Sequence, residues 1–395
     1  MQITYSGKVC IETDTNVYKR LLSFYPEEKL LQRPILAEAL QTETVTYGDL
    51  CSEAEKLFIP WQMFLLTPRK LTHHLKNIEN NRVDKIRSTQ MSRRRGHSGD
   101  IPYRLIDRYI RAQNFVSSTG FYGANTYNGS LAGLTIASTV KKIMGHFGIE
   151  RGSLLSGTKA DVLQYLITRI EEKCVNVGIG ALEARLVPTT DNHRDLYKNV
   201  SGFCLRDEKV PFIYVNASMA TEEEPVGRQI YTLIYLLTLI GLDEFTLARN
   251  INPRTVETIK GGNSKLVHAV TAELLMPESM FETFRGVDIT LDVVNLLSNR
   301  FKVTPSAVLM RLYRLGIISR DEKSGLTTEP FVKRSGGGGS SPITTAVKKF
   351  NGGLVTNGVN RAFNAQSITQ NHAQYILFGR IGRPTWRDYR KLAGI

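Results

Sequence analysis

The sequence is short of the residues that build familiar sites. Its four cysteines, Cys10, Cys51, Cys174 and Cys204, are scattered, and none forms a CxxC pair. That excludes a zinc knuckle and a disulfide framework, and points to a reducing compartment. The seven histidines give no HxxxH and no HxH. His73 and His74 are neighbours, so they cannot chelate from one helix face, and His193 sits in a polar loop. There is no Walker A lysine motif, no GxGxxG after a strand and no GxSxG elbow. The serines of Gly152-Ser153-x-x-Ser156-Gly157 have no histidine paired with them and read as a turn. No charged-then-apolar leader opens the chain, and the longest apolar run, about 14 residues, is too short to span a bilayer. The expectation is a cytoplasmic protein with no membrane partner.

Acidic residues are also scarce, 37 Asp/Glu against 51 Lys/Arg, for a formal net charge of +14. The imbalance is local. Arg69 to Arg111 holds 12 basic and 4 acidic residues, Ser341 to Ile395 holds 8 and 1, and the remainder is close to neutral. Two basic segments beside a neutral body favour a polyanionic partner, most simply nucleic acid. Basic segments that only aid solubility are the alternative.

What is present reads as two or three folded domains in 395 residues, 42% of them hydrophobic. Pro26 to Leu66 gives short helices. Leu50, Ala54, Leu57 and Phe58 recur at helical spacing, with Thr46 as N-cap and Asp49 three residues on. This stretch resembles the closing helix of a lambda-repressor-type helix-turn-helix domain. The preceding Pro34 to Leu40 is short and apolar, with few groups able to reach a base edge, so a helical packing module stands beside the DNA-reading one. Arg93-Arg94-Arg95-Gly96 lies in a polar run, solvated or phosphate-contacting. Pro102 to Phe115 reads as a basic amphipathic helix, with Leu105, Ile106, Tyr109 and Ile110 on one face and Arg104, Arg108 and Arg111 on another. Gly120 to Ser130 reads as a loop and domain boundary.

Helices are expected at Leu131 to Phe147 and Thr158 to Asn176, the second opened by a Thr158/Asp161 capping box. Short strands are expected at Ala181 to Val187, Val200 to Leu205 and Phe212 to Val215. Arg228 to Leu242 is apolar nearly all round and therefore central. Ser264 to Leu275 is a helix stopped by Pro277. Ile289 to Phe301 and Thr304 to Leu315 form a helix pair, the second with Pro305 at its first position. Ser335 to Ser340 is a glycine-rich joint. The tail closes with two or three helices, in which Arg380, Arg383, Arg387, Arg390 and Lys391 surround Trp386 and Tyr389. Arginines interleaved with aromatics suit phosphate pairing and base stacking. A docking helix with both rings in the protein's own core fits equally.

Four separated stretches carry a resemblance: SGFCLRDEKVPFIYVNA, RQIYTL, TAELLMP and VTPSAVLMRLYRLGIIS. From about Gly120 onward the chain resembles the ImmA/IrrE family of zinc metallopeptidase-like proteins, in the subset with an N-terminal repressor-like domain. The joint Gly336 to Gly339 lies where that family often has a Gly-Gly before a helical extension. The resemblance implies an α+β, mainly α fold in three parts. Residues 1–120 would be helical and helix-turn-helix-like, 121–334 a zincin-like domain with a small β-sheet, and 335–395 a helical extension.

The chemistry of that family is missing. Its HExxH helix places two zinc-holding histidines one turn apart, with a glutamate between them that activates water. Aligned on Tyr231-Thr232-Leu233, those positions are Tyr235, Leu236 and Leu239, and the third ligand position is Ser264. One phenol and one hydroxyl do not replace two imidazoles and two carboxylates. The resemblance then implies no catalysis, no metal and no cofactor, with the vestigial groove near Tyr235, Ser264 and His268 kept for a partner. The leading expectation is a regulator, an antitoxin or mobile-element protein that binds a toxin or effector and also nucleic acid. A protein-interaction component of a defence or phage system, without specific nucleic-acid binding, is the second reading. A peptidase with relocated ligands is the third.

Overall fold

Alternation along two strands sets the architecture of the larger part of the molecule. In Val200–Leu205 and Phe212–Asn216, Phe203, Leu205, Phe212 and Tyr214 enter one core, while Cys204, Ile213 and Val215 enter another. A period of two with both sets apolar means a sheet covered on both faces. The computed structural model describes residues 1–22, 34–57, 61–73, 89–93, 101–180, 200–219, 222–223, 225–243, 251–252, 255–256, 264–326, 343–378 and 383–393. The fold is α+β and mainly helical. It divides into two compact units, Met1–Asp84 and Lys85–Ile395.

The first unit contains a three-stranded sheet, where a helical domain was expected. Strands β1 (Gln2–Tyr5) and β2 (Lys8–Glu12) form a hairpin, and β3 (Thr44–Thr46) pairs with β1 in parallel. The turn is Ser6-Gly7, both with positive φ (51° and 75°), the twist that suits a two-residue hairpin. Helices α1 (Thr15–Leu22), α2 (Pro34–Thr42) and α3 (Tyr47–Leu57) complete the unit, and Ile3, Tyr18, Val45, Leu50 and Phe64 share its core. Thr46 caps α3 as expected: its hydroxyl accepts from the Asp49 backbone N–H at 3.1 Å and donates to the Asp49 carboxylate at 2.7 Å.

The second unit is built on a four-stranded sheet. Its strands are β4 (Thr89–Arg93), β5 (Asn176–Gly180), β6 (Val200–Leu205) and β7 (Phe212–Asn216), in the order β4-β6-β7-β5. The β5/β7 pair is parallel, and the others are antiparallel. Four helices and a helix pair build one face. They are α5 (Ile136–Phe147), α6 (Lys159–Glu171), α7 (Val226–Leu242), α8 (Ser264–Leu275), and the pair α9 (Leu291–Arg300) and α10 (Pro305–Arg314). Helix α4 (Tyr103–Ser118) covers the other face with the tail helices α11 (Ile343–Asn351), α12 (Gly353–Asn364), α13 (Gln370–Phe378) and α14 (Arg383–Ala393). Among the described residues, no helix is long and apolar enough to cross a membrane.

Several boundaries differ from expectation for identifiable reasons. The helix expected from Leu131 starts at Ile136, where Thr135 accepts from the Ser138 N–H at 3.3 Å. The helix expected to reach Asn176 ends at Glu171, and Asn176–Gly180 is the edge strand β5. The capping box of Thr158 and Asp161 forms, and so does the start of α10 at Thr304-Pro305. The boundary expected near residue 120 falls instead after Asp84. Helix α4 belongs to the second unit because Tyr109, Ile110, Ala112 and Val116 share a core with the sheet and the tail. The loop Gly120 to Ser130 is pinned to the body. Buried Tyr127 donates to the Leu237 carbonyl at 3.1 Å, and the Asn128 side chain donates to the Asp207 carbonyl at 2.7 Å. The strand expected at Ala181 to Val187, the loop through His193 and the joint Gly336 to Gly339 lie outside the described residues.

Candidate functional site

Helix α7 is apolar on every side because it is enclosed on every side. Ile230, Leu233, Ile234, Leu236 and Leu237 are all fully buried. Gly202 on β6 lets it approach the sheet: a Cβ there would lie 2.9 Å from the Leu236 Cδ1 and 3.2 Å from the Thr232 Cγ2. Two of the four vestigial positions, Leu236 and Leu239, are thus packed core (0% and 6% exposed). Ser264 is at the first turn of α8, where the backbone alone is described.

Tyr231 and Tyr235 lie one turn apart on α7 and meet His268 of α8. The Tyr231 hydroxyl is 3.0 Å from the His268 Nδ1, and the Tyr235 ring is 4.8 Å from the imidazole, centroid to centroid. Tyr235 is 8% exposed, so the place expected to be a groove around Tyr235 and His268 is packed by their own rings. This cluster brings together one imidazole and two phenols. Among the described residues, no group of three or more His, Cys, Asp or Glu side chains is placed to hold a metal ion.

Glu273, the acid of the AELLMP stretch, is in an ion pair with Arg311. The Arg311 Nε also donates to the Met276 carbonyl at 3.0 Å, and Arg151 donates to the Leu274 carbonyl. Burial lowers the Arg151 pKa, and the Glu273 carboxylate opposes that shift. The two arginines therefore clamp the C-terminal end of α8, where unpaired carbonyls attract cations. Beside Glu273 an open concavity of ≈ 670 Å³ runs along α5, lined by Val140, Lys141, Met144, Ile149 and Glu150. Its lining includes neither Tyr235 nor His268.

Two of the three arginines expected opposite the apolar face of α4 have other tasks. Arg108 is buried. Its guanidinium donates to the Leu377 carbonyl at 2.6 Å and to the Asn351 Oδ1 at 3.4 Å, and lies 4.4 Å over the Phe350 ring. Burial lowers its pKa to about 10, which leaves it charged at neutral pH. Arg111 donates to the Tyr375 hydroxyl and lies over that ring. Both hold the tail, so Arg108 is not available to a phosphate. Arg93, Arg104 and Arg383 have only their backbone described, and Arg94, Arg95 and Arg380 lie outside the described residues.

In α14 the docking alternative holds: Trp386 and Tyr389 are buried, and Arg387, Arg390 and Lys391 are exposed. Tyr389 donates to the Asn360 side chain at 2.8 Å, and Trp386 packs on Phe363 at 5.2 Å.

Sequence reasoning missed the polar seam that seats the tail. Asn176 on β5 donates to the Asn351 carbonyl at 2.8 Å and accepts from the Val355 N–H at 3.2 Å. Glu171 accepts from the Gly353 N–H at 2.6 Å, at the start of α12, where a carboxylate is favoured. Tyr109 donates to the Phe350 carbonyl. Gly178 makes this approach possible, since a Cβ there would overlap the Tyr109 hydroxyl and the Phe350 carbonyl. Paired glycines in Asn176–Gly180 were the one available signal, because glycine inside a strand marks a close backbone approach. Lys348 and Lys349, exposed on α11, were also passed over.

Comparison with family models, curated proteins and solved structures gives no match.

Proposed function

We propose that the chain is a non-catalytic binding protein on a metallopeptidase-like scaffold of the ImmA/IrrE kind. It engages a protein partner and nucleic acid in a regulatory role, that of an antitoxin or mobile-element regulator. The observation that carries this reading is the packing of Tyr235, Leu236 and Leu239. The two histidine positions and the position of the catalytic base are aliphatic or aromatic and lie inside the core. Repacking such a centre removes groups that are costly to bury unpaired and keeps the surrounding surfaces.

Co-purification from the native host at low salt, with half the sample treated with nuclease, tests both halves. Nuclease-sensitive material together with a nuclease-resistant protein is the expected result. Stoichiometric zinc in protein purified without chelator would overturn the non-catalytic reading and restore a peptidase with relocated ligands.

One observation favours the second reading, a protein-interaction component without specific nucleic-acid binding. Val287, Leu291, Leu296 and Tyr313 are large, exposed and apolar, on or beside the packed pair α9 and α10. An apolar patch formed by such residues would mark a protein contact. A protein partner retained in full after nuclease treatment, with no nucleic acid in the untreated sample, would select that reading.

A further inference from the structure

The geometry points to a specific nucleic-acid surface, the outer side of the tail helices α11 and α14, which grips phosphates and stacks no bases. This rests on the nucleic-acid half of the function proposed above.

Val347 and Phe350 of α11 face the core, which turns Lys348 and Lys349 outward. Trp386 and Tyr389 of α14 do the same for Arg387, Arg390 and Lys391. The two helices pack against each other. Five exposed cations therefore stand on adjoining helices of one layer, and Asp388 is the only acidic residue from 341 to 395. The charge is particular to this side. Residues 131–326, which supply the helices on the opposite face of the sheet, contain 23 Lys/Arg and 22 Asp/Glu.

Two features choose nucleic acid over an acidic protein. Protein interfaces have an apolar centre, whereas phosphate-binding surfaces are polar and positive. Among the described residues, the exposed large hydrophobics include none between 343 and 393. Among its described side chains the layer has charge without an exposed apolar anchor. The binding mode follows from the aromatics. Single-strand binders offer bases a stacking platform. Here Trp386 and Tyr389 stack on each other at 5.7 Å and are 2% and 1% exposed. Phosphate contact remains, and its affinity comes from counterion release, which follows salt and not sequence.

The test uses the full chain and fluorescence anisotropy. The probes are two labelled duplexes of unrelated sequence, one single strand and a polyglutamate competitor, across a salt series. Four or five neutralised phosphates predict a log–log salt slope of roughly −4 on duplex DNA. The variant K348Q/K349Q/R387Q/R390Q/K391Q should bind at least about tenfold more weakly at low salt, with a flattened slope. A control with equal charge loss elsewhere, K141Q/K265Q/R300Q/R314Q/R320Q, should bind as the wild type does. Circular dichroism melts confirm that both variants fold, since every substituted side chain is exposed.

Wild-type binding that survives unchanged in the five-residue variant overturns this surface and leaves the nucleic-acid reading standing. A wild-type protein that binds no duplex or single strand at low salt removes both. Preference for one sequence, or salt-resistant binding of the single strand, overturns the backbone-only mode. Polyglutamate bound in place of duplex assigns the layer to an acidic protein.

Discussion

The two faces of the four-stranded sheet are covered in different ways. On one, α7 packs through Leu and Ile, with Leu236 and Thr232 against Gly202 of the sheet. On the other, the tail meets an aromatic surface of Tyr109, Phe203, Phe212 and Tyr214. Hydrogen bonds donated by Arg108 and Asn176 and accepted by Glu171 set its position. Aliphatic contact is strong and undirected, and it tolerates volume-conserving exchange. The polar seam adds little net energy per bond but leaves a buried group unpaired if the tail shifts. The difference teaches that one cover is held by composition and the other by position.

The largest expected effect comes from returning a carboxylate to the aliphatic face. Leu236→Glu places an acid at a fully buried position and should cost several kcal/mol, on the order of the whole stability of a domain. A urea melt should show a body that is largely unfolded. A folded, zinc-binding variant would mean that this face keeps polar room.

Trp386→Ala should cost about 3–5 kcal/mol and act on the other face. In hydrogen exchange, residues 343–393 should lose protection before Val226–Leu242 does. Simultaneous loss in both would make the two covers a single cooperative unit. Gly178→Ala should cost about 1–3 kcal/mol by forcing Tyr109 and Phe350 off the strand. Protease cutting between residues 327 and 342 should then release the tail more readily than from the wild type.

The smallest effect is a pH dependence. Burial raises the Glu171 pKa, and its backbone hydrogen bonds and Lys348 oppose that shift. A carboxyl whose folded pKa is raised favours folding below its unfolded pKa. That contribution is lost as pH rises through the folded value. Relative to Glu171→Gln, the wild type should gain stability as pH falls from neutral through the Glu171 transition. Paired melts from pH 7 to pH 4 measure it, and parallel curves would refute it.

Much of the aliphatic face was legible. Arg228 to Leu242 could only be a central helix, and Thr158/Asp161 and Thr304-Pro305 announced their helix starts. Tyr235 and His268 were expected beside a groove, and their rings lie 4.8 Å apart. The tail face was much less legible. Periodicity reports what a helix shows its nearest layer and is silent on whether a segment more than 200 residues later will cover its polar side. Arg108 therefore read as solvated and is interior. Asn176 read as the end of a helix but opens the strand Asn176–Gly180, whose glycines answer to a contact the local sequence does not contain. The N-terminal hairpin rests on a Ser-Gly turn, a weaker signal than Asn-Gly.

The cover of the aromatic face is made last. Strands Val200–Leu205 and Phe212–Asn216 leave the ribosome more than 120 residues ahead of the first tail helix at Ile343. At typical elongation rates that is a delay on the order of 10 s. Throughout it Phe203, Phe212 and Tyr214 have no tail to lie beneath. A nascent chain stalled near residue 326 would present an aromatic sheet covered by α4 alone to chaperones and to other chains. The pace of translation and the supply of chaperones would then govern how much of this protein matures, a constraint that the finished fold conceals.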